Sequence, residues 1–114
     1  MIKTRKELIV NKEYNEKGEE KMYLSDLSDF AGKNPKLKMF SEVRLKAGEE
    51  VAFHVHEGEF ESYYIISGKG LYLDHDKEVE VLPGTVTFTP SGKGHGLKNT
   101  GEEELVFIAL IVAD

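Results

Sequence analysis

Cysteine is absent from the 114 residues, which excludes disulfide scaffolds, thiolate metal sites and cysteine nucleophiles together. Tryptophan is absent as well, and proline occurs only three times. Positive charge is in short supply: 15 Lys and Arg face 21 Asp and Glu, for a formal charge of −6. A nucleic-acid binder would carry a basic face, so that class is set aside. Long apolar runs are missing too. The longest, Leu105–Ala113, covers about half the length a membrane helix needs. Leu8, Ile9 and Val10, behind a basic start at 1–6, are too few for a secretory apolar region. The expectation is a cytoplasmic chain with no nucleic-acid or membrane partner.

What is present fits one globular domain. Hydrophobic residues at 39% and charged residues at 32% belong to a folded, water-soluble chain. A chain of this length buries roughly two-thirds of its unfolded surface, enough for a core without staples. Residues 1–37 read as an N-terminal strand and loop extension. A strand is expected over 3–10 and a polar, turn-rich stretch over 11–21. Leu24, Leu27 and Phe30 recur at three-residue spacing, with Ser25 and Ser28 as caps, which predicts a short helical turn ended by 32–35. From residue 38 onward short strands alternate with turn signals: 39–45, 51–56, 62–66, 71–73, 77–82, 85–89, 96–98 and 105–112. Eight such strands with almost no helix indicate an antiparallel sandwich or small barrel.

The four histidines are few, and three of them fall at strand ends. His54 and His56 are two apart, so on a strand their imidazoles project to one face. Glu61 begins the next strand, where an antiparallel return sets its carboxylate beside them. His95 follows the turn 90–94 and can be brought close by a barrel. Three nitrogens and one carboxylate oxygen suit divalent Mn, Fe, Co, Ni or Zn and disfavour Cu(I). On its own an H-x-H pair is a weak signal, because an isolated pair on a strand is often a surface or core feature.

The surrounding spacing is far more specific. Gly48, His54, His56, Glu61 and Gly68 are separated by five, one, four and six residues. Gly84, Pro90, Gly92, His95 and Asn99 are separated by five, one, two and three. Ten identities at fixed spacing, each at a few per cent background, make a chance match rarer than ~10⁻¹² per starting position. Together they reproduce both motifs of the cupin superfamily, and the chain resembles a small single-domain metal-binding cupin spanning 1–114, with the motifs in 38–114.

That resemblance implies a cupin-type double-stranded β-helix, a jelly-roll barrel, in which His54, His56, Glu61 and His95 hold one divalent ion with positions left open. It implies either a metal-dependent enzyme on a small, oxygen-rich molecule, by dioxygenase-, isomerase- or lyase-type chemistry, or a non-catalytic metal and small-molecule binding module. Thiol dioxygenases lack the motif glutamate, whereas Glu61 is present. Oxalate-decarboxylating cupins carry an arginine just before H-x-H, where this chain has Val51, Ala52 and Phe53. Small cupins are commonly homodimers, and 3–10 and 105–112 are the expected contacts.

Other candidates are less specific. Tyr63 shares strand parity with Glu61 and is a candidate for the substrate pocket, with plain core filling equally open. Arg44 is a candidate clamp for an anionic substrate, its facing hidden behind the turn at Gly48. Glu57 and Glu59 read as solvated loop carboxylates ahead of any supporting role. His75 reads as a solvated turn residue. Gly92–Gly96 is glycine-rich but leads into no helix, so it is not a nucleotide loop.

Overall fold

The computed structural model describes residues 2–28 and 34–114. Nine strands follow a short 3₁₀ turn at Arg5–Glu7: β1 Val10–Tyr14, β2 Glu20–Asp26, β3 Leu37–Leu45, β4 Glu50–Val55, β5 Glu59–Ser67, β6 Gly70–Asp74, β7 Lys77–Val81, β8 Gly94–Asn99 and β9 Leu105–Ala113. They form two antiparallel sheets, ordered β1-β2-β3-β9-β5 and β4-β8-β6-β7. The crossovers between sheets are those of a jelly roll. Among the described residues the two ladders do not merge into one closed barrel; only the isolated bridges Glu61↔Thr89 and Tyr64↔Val86 run along the outer side of β5.

Strand alternation sets the core. Val43 and Leu45 of β3, Ile65 of β5 and Leu105, Phe107 and Ala109 of β9 point inward from the first sheet. Tyr72, Val81 and Leu97 meet them from the second. At ~25 cal/mol per Å² of apolar surface, such a shared interior is the main favourable term holding the sheets face to face.

The N-terminal third departs from the sequence expectation. The strand expected over 3–10 starts only at Val10: before it, Glu7 Oε1 accepts from the Thr4 N–H and hydroxyl, closing a 3₁₀ turn. The expected turn-rich stretch instead contains β1 and the start of β2, a hairpin whose register pairs Glu13 with Met22. Leu24 and Ser25 lie in β2 rather than in a helical turn, because β2 pairs with β3 from Met22↔Leu45 to Asp26↔Ser41. Phe30 and Gly32 fall outside the described residues. Residues 85–89 alternate as expected but form an extended segment along β5 rather than a named strand. Thr89 is 1% exposed while Val86 and Phe88 face outward, since the threonine hydroxyls have buried hydrogen-bond partners and the apolar groups do not need them.

Candidate metal centre

Four side chains converge between the sheets. The ligand atoms of His54, His56, Glu61 and His95 all lie within 4.8 Å of one another. His56 Nε2 is 2.8 Å and His95 Nε2 is 2.6 Å from Glu61 Oε1. His54 Nε2 is 3.0 Å from His56 Nε2 and 3.2 Å from His95 Nε2. Burial grades across the group: the His95 and Glu61 side chains are 0% and 4% exposed, and that of His54 is 38% exposed. The site therefore opens on the His54 side.

Local structure explains how His54 reaches this point. Along β4 and β8, Val51 pairs with Leu97 and His54 with His95, three steps on one strand against two on the other. That is a β-bulge, and it turns Val51 and His54 to the same inner side although their spacing is odd. Gly96 lies opposite the bulge, where a Cβ would sit 3.1 Å from both Phe53 N and Val51 O. Only glycine lets the two backbones approach so closely without a shift. The turn that delivers His95 is held the same way. Gly92 has φ of +86° and donates its N–H to His56 O at 2.8 Å, tying the second motif to the first.

The outer nitrogens decide the chemistry of the inner ones. His54 Nδ1 lies 2.7 Å from Ala52 O and His56 Nδ1 lies 2.7 Å from Glu59 Oε2. A carbonyl and a carboxylate only accept, so each Nδ1 donates outward and each Nε2 is the nitrogen left to serve as a ligand inward. Two Nε2 atoms 3.0 Å apart with a carboxylate beside them need a proton or a metal ion among them to hold that approach. One divalent ion satisfies all four ligands at once, and the group is suited to hold a metal ion. His95 is supported from behind: its Nδ1 lies 2.8 Å from the Tyr72 hydroxyl and 3.2 Å from Thr89 Oγ1, and those two oxygens are 2.8 Å apart. Burial pushes the Tyr72 phenol up, so it stays protonated and able to complete this network.

A cavity of about 280 Å³ opens above the group, with His54, His56 and Glu61 in its wall. Tyr63 lines it as well, its ring 5.0 Å from that of His95 and 4.6 Å from that of Phe107. Burial, reinforced by the Glu61 charge, pushes the Tyr63 phenol well above its usual value, so it stays protonated. Arg44 is elsewhere. Val43 and Leu45 take the inner face of β3, and Arg44 lies outside, 3.0 Å from Glu42 and 3.7 Å from Glu104.

Glu59, expected as a solvated loop carboxylate, instead holds His56. Tyr72 and Thr89 carry no sign in the sequence: the β6–β8 pairing brings Tyr72 behind His95, and the bridge to Glu61 sets Thr89 there. Glu13 reaches the cavity rim from β1. His75 occupies the β6–β7 turn at φ +58°, away from the centre.

Comparison with known proteins agrees with this geometry. Residues 41–111 match the family model described as "Cupin domain". A crystal structure described as a predicted oxalate decarboxylase from Thermotoga maritima superposes with a TM-score of 0.88 at 34% identity, covering 100% of both chains. A protein of Thermotoga maritima named "Oxalate-binding protein" is 44% identical over 77 residues, 68% of this chain and 64% of that one. A "Glucose-6-phosphate isomerase" of Thermococcus onnurineus is 37% identical over 79 residues, 60% of this chain but 42% of the isomerase. The matches thus span under two-thirds of these two curated relatives.

Proposed function

The chain belongs to the cupin family, and from that premise we propose that it is a metal-dependent protein acting on a small, oxygen-rich molecule. The observation that supports this reading is the pair of inward Nε2 atoms of His54 and His56, 3.0 Å apart, each turned inward by an acceptor that holds the ring's Nδ1. His54, His56, Glu61 and His95 would hold one divalent ion of the Mn, Fe, Co, Ni or Zn group. When bound, such an ion supplies Lewis acidity toward a carbonyl or hydroxyl, or a centre for oxygen chemistry. The chain's own residues do the rest. Glu59, Tyr72 and Thr89 orient the imidazoles, Tyr63 donates a hydrogen bond to a ligand in the cavity, and the apolar walls exclude water.

A second reading, a binding module without turnover, is favoured by one specific observation. Apart from the ligands, Tyr63, held protonated, and Glu13 at the rim are the acid or base groups of the cavity wall among the described residues. The two readings separate on a panel of sugar acids, dicarbonyls and phenols offered to metal-loaded protein. Conversion of any member carries the enzyme reading, and binding without conversion across the panel carries the module.

A second copy of this chain is the partner we propose, seated on the outer face of β9. Ile108, Leu110 and Val112 are apolar there, with Phe40 and Tyr64 exposed on the flanking strands. The solvent face of an antiparallel sheet normally alternates to polar residues, and the middle of this one does not. Among the described residues no helix is long and apolar enough to cross a membrane.

A further inference from the structure

We propose that the cavity selects small oxygen chelators of charge −1, or uncharged ones, that carry a short branched apolar body, and discriminates against dianions; this deepens the metal reading above and rests on it. Three features of the wall lead there. The first is its charge. Among the described residues, no lysine or arginine lines the cavity, and Arg44, the one arginine near in sequence, is turned to the opposite face. The ionisable carboxylates are Glu61 in the centre, Glu59 behind His56 and Glu13 at the rim.

The second is the placement of Glu13. Its register partner is Met22, and directly opposed residues of an antiparallel pair point to the same side. Met22 is 8% exposed and faces the core, so the β1–β2 hairpin carries Glu13 onto the inner side, over the cavity. A divalent ion with Glu61 has net charge +1. A chelator of charge −1 neutralises it, whereas a dianion leaves an excess negative charge between apolar walls and facing Glu13. Unpaired charge in such a setting is costly, and no cation is at hand to offset it.

The third is shape and polarity. Met22, Leu24, Met39, Val43, Phe107 and Ile111 form most of the wall around a volume of about 280 Å³. That is at or below the lower end for ligand sites, room for a head on the metal and a few carbons beyond it. An oxalate ion would leave the apolar wall bare. A 2-oxo acid with an isobutyl tail would offer two oxygens to the ion and set its carbons against the methionines and leucine.

The test is calorimetric titration of zinc-loaded protein with 4-methyl-2-oxopentanoate, oxalate and glucose 6-phosphate, with bound zinc measured after each run. The expected result is one-to-one binding of the oxo acid, at least tenfold tighter than either dianion. Glu13→Gln should narrow that preference by threefold or more, chiefly by strengthening oxalate. Met39→Gln should weaken the oxo acid and leave oxalate unchanged. Oxalate or glucose 6-phosphate binding as tightly as the oxo acid with zinc retained, or a preference untouched by Glu13→Gln, overturns the selectivity and leaves the metal reading standing. Failure to load zinc at one equivalent overturns both.

Discussion

His56 and Glu59 are joined through the outer ring nitrogen, Nδ1 to Oε2 at 2.7 Å, so the carboxylate sets the tautomer that turns Nε2 toward the centre. Partners of this kind raise ligand basicity and hold the ring in place. Replacing Glu59 by Ala should lower metal affinity about 10- to 100-fold while the fold persists, because Glu59 sits near the surface end of β5. Competition against a colorimetric chelator reads the affinity, and thermal unfolding of the metal-free protein reads the fold. An unchanged affinity would assign the orientation of His56 to something else.

Gly96 tests the bulge. A methyl group there meets the backbone of Phe53 and Val51 at 3.1 Å, and backbone yields less readily than a side-chain tip. Gly96→Ala should cost about 1–3 kcal/mol of stability as an overpacking change. Because the strain falls on the residues that aim His54, it should also weaken metal binding. Gly101→Ala is the control, since its nearest contact is the Lys69 side chain at 3.4 Å. Equal losses from the two would remove the bulge from the account.

Acid should loosen the N-terminal segment. Hydrogen bonding from Arg5, at 2.9 Å and 3.4 Å, holds the Glu42 carboxyl below its ordinary value of 4.5, and Arg44 adds to this. A carboxyl lowered in the folded state contributes stability that is present above its unfolded value and is lost as the pH falls through the folded one. Hydrogen exchange of residues 2–9, corrected for intrinsic rates, should therefore show protection falling below about pH 4.5, and Arg5→Ala should weaken that dependence, the remainder coming from Glu7, whose carboxyl the Thr4 hydrogen bonds also lower. A pH-independent wild-type segment would contradict the tether.

The apolar outer face of β9 makes its own prediction. Sedimentation should give a dimer, and Ile108→Lys, which sets a charge in the middle of that face, should give a folded monomer. A wild-type monomer at micromolar concentration would dismiss the face as an interface between copies.

How much of this was legible in the chain differs from residue to residue. The four convergent side chains are announced by their spacing, because turns at fixed positions must carry each strand end to one point. Strands 3 to 9 could be read within a few residues because turn signals bound each one and apolar residues recur along it. β1 could not, since all five of its residues are exposed and no buried period marks it. Glu13 was invisible for the same reason: pairing with β2, not composition, carries it over the cavity. Arg44 shows the limit of parity across a turn. The strand was expected, but its facing follows from register with Tyr23 and Val106 on the neighbouring strands. The bulge between Val51 and His54 left no sequence sign at all, because one inserted residue reverses every facing beyond it.

The most direct measurement is metal content per chain in protein purified without chelators, for the wild type and for the double variant His54→Ala/His95→Ala. The account predicts one equivalent of a divalent transition metal in the wild type and a loss to background in the variant, with the β-sheet circular-dichroism signal retained. One equivalent remaining in the variant would contradict it.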